Sequence, residues 1–183
     1  MKLPNFPGRV SYHHSLGRFI DRFAKVEGLA KELLYQTAGL DPDIGRILLN
    51  GQRADGAKKL INTLREAKGV EPDPILDRAF GQLTVITGVR NIIVHNEPQP
   101  HGATEFVTIS NERSTKPGNE TSITFSPDLL EIMVDDLWTI SFAIQNAMSP
   151  SEGARDRALA PWRYTPNQPT PRPKRSPPSD QAQ

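Results

Sequence analysis

Leu16, Phe19, Ile20, Phe23, Val26, Ala30, Leu33 and Leu34 recur every three or four residues near the start of the chain. An α-helix returns to the same face at that interval, so the pattern predicts a helix over Ser15 to Thr37 with one apolar face. Gly39 and the Asp41-Pro42 step end it. Ile44, Ile47, Leu48 and Leu49 give a short apolar patch of one or two turns. Leu60, Ile61 and Leu64 form the inward face of a second helix from about Ala54 to Lys68, with Lys58, Lys59 and Arg65 on its polar side and Gly69 at its end. A third helix starts near Asp73, with Pro74 in the first turn, where a missing N–H costs nothing. Its apolar positions, Ile75, Leu76, Ala79, Phe80, Leu83, Val85, Ile86, Val89, Ile92 and Ile93, are too many for one narrow stripe. Such a helix is either central to its own bundle or packs against a second copy. Pro98 ends it at about His95 or Asn96, because a proline cannot continue a helix and disfavours helix in the residue before it.

The period then changes. Residues from about Thr104 to Ser110 and from Thr121 to Phe125 alternate at period two around the turn-rich NERSTKPGNE, which predicts a small β-hairpin. Ser126 as N-cap, Pro127 in the first position and Asp128 in the first turn open a last helix. Leu129, Ile132, Met133, Leu137, Trp138, Ile140, Phe142 and Ile144 carry it to about Met148. The expected fold is all-α, a four-to-five-helix bundle with a small β-hairpin insertion, at about residues 104–125, before the last main helix. Residues 1–14 are expected to form a flexible N-terminal segment and 15–148 the folded domain. Residues 149–183 hold eight prolines in 35 positions and are expected to be a disordered basic tail. Trp162 and Tyr164 are its candidate anchors on a partner, and Arg172, Lys174 and Arg175 its candidate nucleic-acid contacts.

Charge sharpens this division. Of the 22 basic and 21 acidic residues, six and three lie in 149–183, leaving 16 and 18 in the first 148. The domain is thus slightly acidic, which excludes a broad cationic nucleic-acid surface and requires any polyanion contact to be focused in a cleft. Cysteine is absent, so disulfides and thiolate zinc sites are excluded. No apolar run approaches the ~20 residues that span a bilayer, and the start lacks a signal-peptide core. A cytoplasmic protein with no membrane contact is the expectation.

The chain has no glycine-rich phosphate loop and no paired-histidine zinc motif. No cofactor and no metal site are expected; His13, His14 and His101 sit in segments expected to be irregular. What remains is RNIIVH, Arg90 to His95. Asn91 and His95 are four apart and share a helix face. Arg90 and His95 differ by roughly 140° in direction, a gap that the long arginine stem covers. A guanidinium presents a fork of donors to phosphate oxygens and stabilises charge growing on them. An imidazole gives and takes protons near neutrality. Asn91 is placed to hold the imidazole or donate to a phosphoryl oxygen. The set suits RNA cleavage by the neighbouring 2′-OH. One histidine supplies either the base or the acid, and a twofold pairing of the third helix supplies both. The other reading is a surface feature in which His95 caps helix-end carbonyls.

The same stretch resembles the signature of the HEPN superfamily (higher eukaryote and prokaryote nucleotide-binding domains): an arginine, a polar residue, a few mostly apolar residues and a histidine. FIDRFAKVEGLAKELL is similar to the first helix of such domains and LDRAFGQLTVITGVRNIIVHNEP to their motif-bearing helix, so the likeness covers roughly residues 15–148. It implies a helical bundle that dimerises through the motif helices. Many members are metal-independent endoribonucleases of toxin–antitoxin or antiviral systems. By that likeness Arg90 and His95 are catalytic, Asn91 is supporting, and the partners are RNA, a second copy and a cognate antitoxin or regulatory protein. Other members are non-catalytic nucleotide-binding or scaffold modules. The hairpin and the tail depart from the family pattern. Beyond the motif, Glu27 is a candidate to orient Arg90, and Lys58, Lys59 and Arg65 are candidates to extend an RNA path.

Overall fold

Four helices begin on a proline: α1 (Pro7–Ala38), α2 (Pro42–Leu48), α4 (Pro74–His95) and α5 (Pro127–Met148). Proline fixes φ near the helical value and lacks the N–H that a first turn leaves unbonded. Asp41, Asp73 and Ser126 accept first-turn N–H groups through their side chains just ahead of α2, α4 and α5. Two further helices, α3 (Ala54–Ala67) and α6 (Glu152–Ala158), complete the six found among the described residues. The computed structural model describes residues 7–49, 51–96, 98–100, 107–110 and 122–166.

The chain is mostly helical, with one small sheet. Helices α1 and α5 lie side by side in the same direction. Arg18 pairs with Glu131 at 2.7 Å, Arg22 Nη2 donates to Ser141 Oγ at 3.1 Å, and Gln36 Nε2 donates to the Met148 carbonyl at 3.2 Å. Helix α4 runs opposite to α5: Gln82 meets Asp136, while Ile75 and Arg78 face Asn146 across a cleft. Helix α3 runs opposite to α4, with Thr84 Oγ1 near Asp55 at 3.5 Å and Arg65 beside Leu76. Phe19, Phe23, Leu34, Ile61, Leu83, Ile86, Leu130, Leu137 and Ile140 fill the space between them. Each such side chain, fully buried, contributes about 1.5–3 kcal/mol relative to exposure.

Where turns must be tight, glycine is required. Gly39 ends α1 at φ 72°, and a side chain at Gly45 would strike the Tyr35 ring at 2.6 Å.

Three features differ from the expected layout. Helix α1 starts at Pro7 rather than Ser15, because Tyr12 (1% exposed) and Ser15 (5%) are buried against the core and extend the helix toward its start. His13 and His14 therefore sit on a helix, both exposed. The hairpin is part of a three-stranded antiparallel sheet in the order β1 (Pro98–Pro100), β2 (Val107–Ser110), β3 (Ser122–Phe125). β1 pairs Gln99 with Thr108 and occupies an edge, the place a sheet tolerates proline. Val107, Ile109 and Phe125 are buried, and Thr108 and Thr124 face each other with hydroxyls 3.1 Å apart. The sheet follows α4 and precedes α5, so it stands at the end of the bundle where α4 finishes. Thr104–Phe106, the hairpin loop 111–121, His101 and the tail from 167 onward lie outside the described residues.

Third, the start of the expected tail is ordered. Helix α6 and the following strap, residues 159–166, lie on α4 and α5. Asp136 is 1% exposed. Its carboxylate accepts from the Arg163 and Tyr164 backbone N–H groups, each at 2.9 Å, and from Gln82 Nε2 at 2.8 Å. Gln82 Nε2 also donates to the Tyr164 carbonyl at 2.8 Å. Arg78 donates to the Ala160 carbonyl at 3.0 Å, and its guanidinium lies 4.6 Å from the Trp162 ring centroid. Trp162 and Tyr164 thus anchor the segment on its own domain rather than on a partner.

Two outcomes test this arrangement. Asp136→Ala leaves two backbone donors and an amide without their acceptor, so it is expected to cost about 2–4 kcal/mol of unfolding free energy and to shift Trp162 fluorescence. An unchanged denaturant midpoint would contradict the clasp. Burial raises the phenol pKa of both Tyr12 and Tyr164 above the ordinary 10.0. A raised folded pKa stabilises fully below the unfolded value and is lost as pH rises through the folded one. Stability is therefore expected to fall above about pH 10, and less steeply in Tyr164→Phe, when unfolding is followed with tyrosinate absorbance.

Candidate functional site

Helix α4 buries one stripe and leaves another open. Leu76, Ala79, Phe80, Leu83, Ile86, Val89 and Ile93 turn inward, while Gly81, Thr84, Gly88 and His95 are exposed and Val85, Asn91 and Ile92 are half-buried beside them. The surplus of apolar positions along this helix is therefore divided, part in the core and part at the margin of an open face. A side chain built at Gly81 or Gly88 meets nothing within 4 Å. Val94, at the same end, is 47% exposed.

Arg90 is half-buried between the two stripes. Its Nη1 donates to Asn91 Oδ1 at 3.2 Å, and its guanidinium carbon lies 5.6 Å from the Phe23 ring centroid, within cation–π range. Its Nε is buried without a hydrogen-bond partner. Glu27, half-buried one turn beyond Phe23, forms no ion pair with Arg90. Asn91 and the Phe23 ring hold it instead.

His95 is exposed in the last turn of α4. The carbonyl-capping role belongs to its neighbour: Asn96 Nδ2 donates to the Ile92 carbonyl at 2.8 Å. The imidazole has no hydrogen bond or ion pair with the described residues and remains open to an incoming group. Arg90 and His95 are separated by about 7.5 Å of helix rise, within the span of a nucleotide's phosphate and its neighbours.

The cations of α3 do not join this set. Arg65 donates to the Glu71 carbonyl at 3.1 Å and shares a cleft with Leu76, about 21 Å along α4 from Arg90. Lys58 and Lys59 follow Asp55, which meets Thr84 about 16 Å along the axis from His95. Among the described residues no cluster of three His, Asp or Glu is placed to hold a metal ion. Among the described residues no helix is long and apolar enough to cross a membrane.

Sequence reasoning did not reach Phe23 as the support of Arg90, because periodicity marks it only as core. It also missed a column on the α1–α5 face. Arg22 lies with its guanidinium carbon 3.1 Å from the Trp138 ring centroid, Trp138 stacks on Phe142 at 6.1 Å, and Arg157 stands 4.8 Å from Phe142. Burial lowers the Arg22 pKa, partly offset by Asp21. Comparison with family models, with curated proteins and with solved structures returns no match.

An unsatisfied buried N–H costs about 1–3 kcal/mol. Arg90→Met, which removes the orphan Nε and keeps the apolar stem, is therefore expected to leave unfolding free energy unchanged or raise it by up to about 1 kcal/mol. A loss larger than that in a chemical melt would mark Arg90 as structural.

Proposed function

We propose that this chain is a metal-independent endoribonuclease of the HEPN type, a cytoplasmic enzyme acting as a homodimer through α4 and held in check by a cognate antitoxin or regulatory protein. The observation that carries the reading is the condition of the motif. Arg90 is fixed by Asn91 and Phe23 with only its Nη1 hydrogen-bonded among the described residues, and His95 is excused from helix capping by Asn96. Polar groups left unsatisfied in a folded chain are the ones that binding can satisfy.

In this mechanism the 2′-OH next to the scissile phosphate attacks phosphorus as a base removes its proton. The bond to the 5′-oxygen breaks as an acid protonates that oxygen, leaving a 2′,3′-cyclic phosphate. Arg90 takes up the charge that grows on the non-bridging oxygens. His95 of one copy serves as base and His95 of the other as acid, because in-line attack places the two protons on opposite sides of phosphorus. The open stripe of Gly81, Thr84, Gly88 and His95 supports a close approach of two α4 helices.

The placement of Lys58, Lys59 and Arg65 away from the motif favours a second reading, a non-catalytic module that binds a nucleotide or a partner protein at the same end. RNA cleavage separates the two. In EDTA the purified protein is expected to cut RNA and leave cyclic-phosphate ends, and Arg90→Ala or His95→Ala to lower the rate by at least about 10²-fold. Wild-type cleavage by His95→Ala would sink the mechanism. Gly88→Arg fits the free subunit, where its Cβ meets nothing, but blocks a helix approaching α4. It is expected to retain the unfolding midpoint while abolishing both dimer, by sedimentation, and cleavage.

A further inference from the structure

Trp138, 47% exposed, is the one aromatic ring among the large apolar side chains left open to solvent in the described residues. Its neighbours fix it all the same. On its inner side lies the Arg22 guanidinium, with its carbon 3.1 Å from the indole centroid. Arg22 is itself only 9% exposed and is held from below. Its Nη2 donates to Ser141 Oγ at 3.1 Å, and Ser141 Oγ donates to the Leu137 carbonyl at 2.8 Å. Phe142, one turn further along α5, stacks on the indole with 27° between the planes and extends the aromatic surface toward α6. Arg157 of α6 closes the row, 4.8 Å from the Phe142 centroid.

This row suits one kind of guest. A guanidinium against one face of an indole draws on the negative charge of the ring's π cloud. A second cation on the outer face would meet the Arg22 charge through the ring. The outer face therefore disfavours ammonium and guanidinium groups and suits a flat, uncharged ring. Most cations around the row are neutralised, since Arg18 pairs with Glu131, Lys25 with Asp21 and Arg163 with Asp135. Arg157 forms no ion pair among the described residues and is open to an anion. A flat ring over Trp138 with an anion at Arg157 is a base with a phosphate beside it. The first 148 residues, with 16 basic and 18 acidic groups, cannot hold a nucleic-acid strand by charge alone, whereas an aromatic platform serves every base.

We propose that Trp138 stacks a base of single-stranded RNA on its outer face and that Arg157 takes the adjoining phosphate, with Arg22 as the positioning residue beneath the ring. The site is distinct from the Arg90–His95 motif and does not rest on the ribonuclease reading. The two flank the same turn of α1, where Arg22 supports Trp138 and its neighbour Phe23 supports Arg90.

The test titrates the full chain with 2′-O-methyl oligoadenylate, which lacks the attacking hydroxyl and so stays whole, and follows indole fluorescence across a salt series. Stacking is expected to quench the emission. Trp138→Ala is expected to abolish the quench, leaving the emission of Trp162, and to weaken binding about tenfold, whereas Trp138→Phe keeps most of the affinity. Arg157→Ala is expected to lower the slope of log affinity against log salt by about 0.7, the share of one phosphate on a single strand. Arg90→Ala and His95→Ala are expected to leave quench and affinity unchanged. Equal affinity of Trp138→Ala and the parent chain overturns the stacking site, as does failure of the parent to bind. Binding of AMP as tight as that of the oligonucleotide overturns the strand as its ligand. A chain that binds and quenches but never cuts natural RNA keeps the stacking site and loses the ribonuclease reading. One that cuts at unchanged KM in Trp138→Ala loses the stacking site alone.

Discussion

A carboxylate sealed inside a helical bundle must find every hydrogen bond it gave up in water, and Asp136 finds them from two directions. Gln82 reaches it from α4, and two consecutive backbone N–H groups reach it from the strap. Leaving such a group unpaired costs several kcal/mol, so the three segments are fixed against one another by a requirement stronger than apolar contact alone. Apolar packing tolerates sliding, whereas hydrogen-bond geometry does not. The axial position of α4 against α5 follows from this clasp, and with it the height at which Arg90 and His95 emerge.

Arg90 is the contrast. At Asp136 every oxygen is served, while at Arg90 a buried Nε is left without an acceptor. The same chain that satisfies one buried polar group so fully leaves another in want, at the end of the helix whose outer stripe is open. Arg22 and Arg78 also keep an unpartnered Nε, but each spends its terminal nitrogens on distant elements, Ser141 in one case and Ala160 in the other. Among the described residues, Arg90 makes its hydrogen bond only to its own sequence neighbour. Arg22 thereby ties α1 to α5 and Arg78 ties α4 to the strap, whereas Arg90 makes no such hydrogen bond among the described residues.

Elements whose limits are set by local chemistry were legible in the sequence. Ser126 and Pro127 write the start of α5, and Pro98 the end of α4, because caps and prolines act within one turn. The first eight residues of α1 were not, since their helix depends on Tyr12 being covered by distant parts of the core. β1 was hidden because a Pro-Gln-Pro stretch has no alternation to betray a strand and pairs only where an edge is offered. Of the candidate site, Arg90, Asn91 and His95 were named from their spacing, and the structure places all three in the last two turns of α4. Phe23 was visible only as a core position, although its ring is what lies beside the Arg90 guanidinium. The strap was misjudged because composition reports eight prolines, whereas its docking is decided by Gln82 and Asp136, two polar residues that look solvent-facing on paper.

The division of charge gives these pieces a common logic. A cationic groove in the folded domain would attract polyanions to the site at all times and raise the repulsion between two copies brought together along α4. The first 148 residues, with 16 basic and 18 acidic groups, avoid both. The core is left mainly to apolar packing, and the open stripe of Gly81, Thr84, Gly88 and His95 stays nearly uncharged. Asp136, which ties α4 to α5 and to the strap, thus sets the height at which that stripe is presented.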